Sequence, residues 1–180
     1  MNHLARTILE SFLFEKKTLT PEDLEKIQIL PKEKSPVFIT IKDGDIVVAS
    51  TGRIYPKHET LARELIENTT LIIQDTRFQH YLDNPEKTRK LQYRVDVFHD
   101  EDRRILHHPD ELMSETEGMI VLCQKQEKVG IILPHMFHNP LSGEEIYHRL
   151  IEKINLDVSH LGKWDVILYG VKTEIFEDEK

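Results

Sequence analysis

Cysteine occurs once in this chain of 180 residues, at Cys123. A lone thiol excludes an internal disulfide and a multi-thiolate metal site, so Cys123 reads as a core residue of a protein from a reducing compartment, and a cytoplasmic protein is expected. Long apolar runs are absent too. No window approaches the roughly 20 apolar residues of a bilayer-spanning helix, and no basic N-terminal segment leads into an apolar one, so neither membrane insertion nor export is expected. Positive charge is scarce: 24 Lys and Arg face 32 Asp and Glu, a net charge of -8. A phosphate backbone needs a clustered basic face, which disfavours nucleic-acid binding, RNA included. The spaced glycines and Gly-Lys pair of a phosphate loop, the HExxH helix and paired cysteines are all missing.

The composition that remains, 39% hydrophobic and 31% charged, is that of a folded globular chain. Its length suits one domain or two tightly fused halves. Leu4, Ala5, Ile8, Leu9, Phe12 and Leu13 form one apolar helical stripe. In "LTPEDLEKI", Thr20 has the character of an N-cap, Pro21 suits the first helical position and Asp23 stands where a capping-box carboxylate would. "SPVFITIKDGDIVVAS" places β-branched runs on both sides of Asp43-Gly44, a hairpin signal. A second amphipathic stripe follows through Leu61, Ala62, Leu65, Ile66 and Thr69. "NTT" at Asn68 to Thr70 matches the glycosylation pattern by chance, inside a helical pattern. "KLQYRVDVF" then alternates Leu91, Tyr93, Val95 and Val97 with polar neighbours, the pattern of a strand with one wet face.

The same order returns downstream. "GMIVLCQKQEKVGIILP" reads as hairpin and proline, and "SGEEIYHRLIEKI" as a helix with Ser142 and Glu145 at capping-box spacing. "DVILYGVKTEIF" reads as one long strand or two short ones. Leu61, Leu65 and Ile66 recur at constant spacing as Ile146, Leu150 and Ile151, which points to an internal duplication. The expectation is an α+β fold of duplicated hairpin-helix-strand units: a helical part over 1–30, a first repeat over 36–98 and a second over 118–176. The sheet would be mostly antiparallel, with helices packed outside.

Taken together, "LARTILESFL", "FITIKDGDI", "QDTRF" at Gln74 to Phe78, "HHPDEL" leading to "EGMIVL", and "GIILP" resemble the AMMECR family (Alport syndrome, midface hypoplasia and elliptocytosis chromosomal region; microbial members are called AmmeMemoRadiSam system protein A). That family's LRGCIG hallmark aligns with Val47-Val48-Ala49-Ser50-Thr51-Gly52, where only the final glycine survives. Its DPRF run aligns with Asp75, Thr76, Arg77 and Phe78, with Thr76 in place of proline. The resemblance implies a duplicated α+β domain with a barrel-like sheet. For function it implies a cleft without a settled activity, and association with radical-SAM and Memo-like proteins.

These alignments make Ser50, Thr51, Gly52, Arg53, Asp75 and Arg77 the candidate ligand- or partner-binding residues. Hydroxyls and backbone amides of Ser50 to Gly52 would face a small polar or anionic ligand, and Arg77 would clamp an anion. The competing reading makes Gly52 a conformational strand end, Asp75 and Arg77 a structural pair, and Phe78 a core anchor. Ser50 as a nucleophile would need a base in reach, with His58 and His80 the nearest in sequence. No cofactor is implied, and no metal beyond the weak pair His135 and His138 in "LPHMFHNP". Met136 and Phe137 in that loop read as core-facing or as a partner contact. The leading functional expectation is a binding module for a small ligand or protein partner; the alternative is an enzyme acting with the radical-SAM and Memo-like proteins.

Overall fold

The computed structural model describes residues 1–99, 103–137, 139–162 and 164–178. The chain divides into two units, residues 1–97 with 174–180, and 98–173.

The first unit opens with α1 (Asn2–Phe14), which buries Leu4, Ala5, Ile8, Leu9 and Leu13 along one stripe. Short α2 (Pro21–Glu25) starts as its sequence dictates: the Thr20 side chain accepts from Asp23 N–H, and the Asp23 carboxylate accepts from the Thr20 amide. Strands β1 (Val37–Asp43) and β2 (Ile46–Gly52) form a hairpin closed by the pair Asp43 and Ile46. Gly44 there sits at φ +60, a conformation that side chains disfavour and that suits the twist of hairpin strands. Helix α3 (Leu61–Leu71), capped by Thr60, packs with α1 over β1 and β3 (Gln92–Val97). Two short 3₁₀ segments, Ile72–Gln74 and Thr76–Tyr81, and α4 (Pro85–Thr88) connect α3 to β3.

β3 departs from the expected wet-faced strand. Tyr93, Val95 and Val97 are buried as the alternation requires, but so are Arg94 and Asp96 between them. The two polar residues point to the same face and form a bidentate pair, Nε to Oδ2 at 2.7 Å and Nη2 to Oδ1 at 2.6 Å. Pairing of this geometry is what makes a buried guanidinium tolerable, and it disguises an inner strand as an outer one.

The second unit holds β4 (Arg103–Leu106), β5 (Gly118–Cys123), β6 (Lys128–Ile132), α5 (Gly143–Lys153) and β7 (Ile167–Val171). Ser142 and Glu145 close the capping box at the start of α5. Ile146 and Leu150 of that helix join Met119, Val121, Cys123 and Leu168 in the unit's core, so the single thiol is buried.

Both sheets are antiparallel and four-stranded. The first runs β2-β1-β3-β8, with β8 (Glu174–Glu177) at its edge, and the second runs β6-β5-β7-β4. Hairpin, helix and following strand therefore take the same order in each: second hairpin strand outermost, first hairpin strand next, post-helix strand third. The fourth strands are exchanged along the chain. After β3 the chain enters β4, which pairs with β7; after β7 it enters β8, which pairs with β3. "VILYGVKTEIF" is thus two short strands in two sheets, broken around Lys172 and Thr173. In place of the barrel-like sheet that the resemblance implied, the described strands form two four-stranded sheets, one in each unit, whose fourth strands β8 and β4 each end a sheet as an edge.

Candidate functional site

Edge strand β2 carries Ser50, Thr51 and Gly52, with Arg53 just beyond it and Asp75 and Arg77 in the segment after α3. Ser50 is exposed, and its Oγ lies 3.4 Å from Thr40 Oγ1 on β1. Its amide, on the open edge of the sheet, donates to Asp75 Oδ2 at 3.1 Å. Asp75 also accepts from Arg77 N–H at 3.1 Å and from the Arg77 guanidinium at 2.9 and 2.6 Å. That bidentate pair holds the Asp75 carboxyl below its usual range and raises Arg77. The arrangement caps the turn after α3 and covers an unpaired edge N–H, a common need of sheet edges. Phe78 is fully buried and stacks on Tyr81 at 5.6 Å. His58 and His80 lie elsewhere: the Nε2 of His58 meets Glu67, and His80 is exposed in the segment Thr76–Tyr81. No hydrogen bond joins the Ser50 hydroxyl to either ring.

Gly52 is half-buried opposite Phe38. A Cβ there would lie 2.4 Å from the Phe38 ring and 2.7 Å from the Val37 carbonyl oxygen, so close approach demands the glycine. Thr51, beside it, is half-buried and pairs with Ile39.

Arg53 leads into a polar knot that sequence reasoning missed. Its Nη1 reaches Glu64 Oε2 at 3.3 Å and Asn68 Oδ1 at 3.1 Å, and its Nη2 reaches Glu67 Oε1 at 2.6 Å. Glu64 is fully buried. Its Oε1 accepts the amides of Lys57 and of His58, the latter at 2.7 Å. Its Oε2 accepts Asn68 Nδ2 at 3.1 Å. Lys57 Nζ and the His58 ring reach Glu67, and with Arg53 they hold its carboxyl down to about 2. One buried carboxylate on α3 thus ties down the loop after β2. The available signal was Glu64 and Asn68 at i, i+4 beside the apolar stripe, three and seven residues after Leu61.

The second unit contains a cavity of about 500 Å³. Ile105, Leu106, Tyr147, Trp164, Val166 and Leu168 supply an apolar wall, and His107, His108 and Glu144 stand at its polar side. Trp164 is 80% exposed and Ile105, on edge strand β4, is 59% exposed. The Nδ1 face of the His108 ring looks at Asp110, with Oδ2 at 3.4 Å, and Nε2 looks at Glu144 Oε1 at 3.7 Å. His148, one turn along α5, places Nε2 3.8 Å from Glu144 Oε2.

Of the earlier metal pair, His135 is exposed at φ +54, and His138 lies outside the described residues. Met136 and Phe137 are half-buried against a small cavity with Leu141 and Ile146, and Arg149 covers the Phe137 ring at 5.0 Å.

No family profile matches the chain, and no curated protein does. An uncharacterized protein from Pyrococcus horikoshii, known from its crystal structure, is similar with a TM-score of 0.72 over 99% of this chain and 89% of that one, at 20% identity. At that identity the likeness is one of fold, and it agrees with the α+β architecture. No helix of the described residues is long and apolar enough to cross a membrane.

Proposed function

We propose that the chain is a divergent AMMECR-type protein that serves as a cytoplasmic, non-catalytic binding module, and that the ligand it takes is a small molecule seated in the groove of the second unit. The cavity of about 500 Å³ carries this reading. Small-molecule sites span about 300–1,000 Å³, with mostly apolar walls and a few polar groups that fix orientation. An exposed tryptophan in an apolar wall beside two imidazoles and a carboxylate has that character. The residues on and near β2 speak less for a receptor: the space at Gly52 is filled by Phe38, Arg53 is neutralised by Glu64 and Glu67, and Arg77 is engaged by Asp75. At the positions aligned with the hallmark's arginine and first glycine stand Val48 and Ala49, both core residues.

Native mass spectrometry of freshly purified protein tests the proposal. Wild type carries a low-mass adduct, and Ile105→Arg, which sets a charge on the apolar wall at an exposed position, loses it while keeping the same circular dichroism. An adduct retained by Ile105→Arg, or adducts only of protein mass, would contradict the reading.

A further inference from the structure

We infer that His108, Asp110 and Glu144, with His148 beside Glu144, form a divalent transition-metal site of the zinc class on the second unit. The inference rests on how His108, Asp110 and Glu144 converge and is independent of what occupies the groove. One ligand atom each from His108, Asp110 and Glu144 lie within 4.8 Å of one another. The separations of 3.7 and 3.8 Å from Glu144 to the two imidazoles are too long for hydrogen bonds and close to the spacing of donors around one tetrahedral ion. Among the described residues, neither Asp110 nor Glu144 has a Lys or Arg partner; their ion-pair neighbours are histidines. Two carboxylates and one imidazole without a fixed cation make a donor set suited to a borderline metal.

The elements explain the convergence. Glu144 and His148 are spaced i, i+4, so α5 presents them on one face. His108 caps the turn Pro109–Glu111, and that turn packs on α5. The His108 Nδ1 accepts from the Asp110 amide at 3.5 Å, which fixes the ring with Nε2 turned toward Glu144. The His148 side chain is 73% exposed, with Nε2 3.8 Å from Glu144 Oε2. Three protein donors leave open positions for water or for an anionic group of a ligand.

Isothermal titration of chelator-treated full-length protein with zinc chloride is the test, with cobalt(II) absorption as the report on coordination. Wild type takes up one tight equivalent. His108→Ala, Asp110→Asn and Glu144→Gln each weaken it by about tenfold or more, His148→Ala weakens it less, and His107→Ala leaves it unchanged. Circular dichroism confirms that every variant is folded, since all of these side chains are exposed or half-buried. Absence of a tight equivalent in wild type overturns the inference. So does an isotherm that His108→Ala and Glu144→Gln leave unmoved, which would assign the zinc to other histidines of the ten in the chain.

Discussion

Replacing Glu64 by alanine is the sharpest probe of how the first unit is held. The substitution removes the acceptor of four donors: the Lys57 and His58 amides, Arg53 Nη1 and Asn68 Nδ2. Two donors keep alternatives. Arg53 retains Glu67 and Asn68 Oδ1, and Asn68 retains the Val37 carbonyl. The two amides retain none among the described residues. Each orphaned buried donor costs about 1–3 kcal/mol, and the lower half of that range applies because the loop side of the knot is half-buried and water can enter. With a contribution from the weakened Arg53 pair, the loss comes to about 3 kcal/mol. At a urea slope of about 2 kcal/mol/M, the midpoint falls by about 1.5 M. Glu64→Gln keeps an acceptor for the amides and loses only the charge, so it falls by about half as much. Urea unfolding followed by circular dichroism reads both. A Glu64→Ala midpoint within about 0.3 M of wild type would refute the view that this carboxylate anchors the loop after β2.

Gly52→Val is expected to cost about 1–3 kcal/mol by overpacking, and combining it with Phe38→Ala recovers only part of the loss because the Val37 carbonyl stays in place; full recovery in thermal unfolding would contradict this. Tyr93 is fully buried, its hydroxyl finds no hydrogen-bond partner among the described residues, and burial raises its pKa. Tyr93→Phe is therefore expected to be neutral or stabilising, and a loss above about 1 kcal/mol would reveal a missing partner. The folded-state pKa of Glu67, about 2, lies below its ordinary value of 4.5, so its contribution is fully present above 4.5 and is lost as pH falls from there toward 2. A stability–pH curve of Glu67→Gln should lack that part of the acid limb; an unchanged slope between those values would dismiss the assignment.

Periodicity made the elements legible. Apolar stripes gave α1, α3 and α5, Asp43-Gly44 gave the first hairpin, and two capping boxes marked where α2 and α5 begin. What stayed hidden was pairing between distant residues. Arg94 and Asp96 mimic a solvated face because each neutralises the other, an interaction that alternation cannot reveal. The exchange of β4 and β8 depends on which edge a short strand meets, and neither strand's four residues encode a partner. The same holds for the sites. Ser50, Gly52, Arg53, Asp75 and Arg77 were prominent because they sit near glycine and an aligned motif, yet their contacts are caps, close packing and ion pairs. The groove draws Ile105, His108, Tyr147, Trp164 and Leu168 from three separate stretches of chain, so no local pattern announces it. Only Glu144 and His148, at helical spacing, left a trace in the sequence.

The chain has one tryptophan, and Trp164 lines the groove, so its fluorescence reports directly on occupancy. Titration with the apolar anionic dye 8-anilinonaphthalene-1-sulfonate should quench Trp164 by energy transfer along a saturable, single-site curve, and Ile105→Arg should abolish that curve without altering the fold. Dye binding that leaves Trp164 unquenched, or that Ile105→Arg leaves intact, would show that the groove of the second unit is not the binding site.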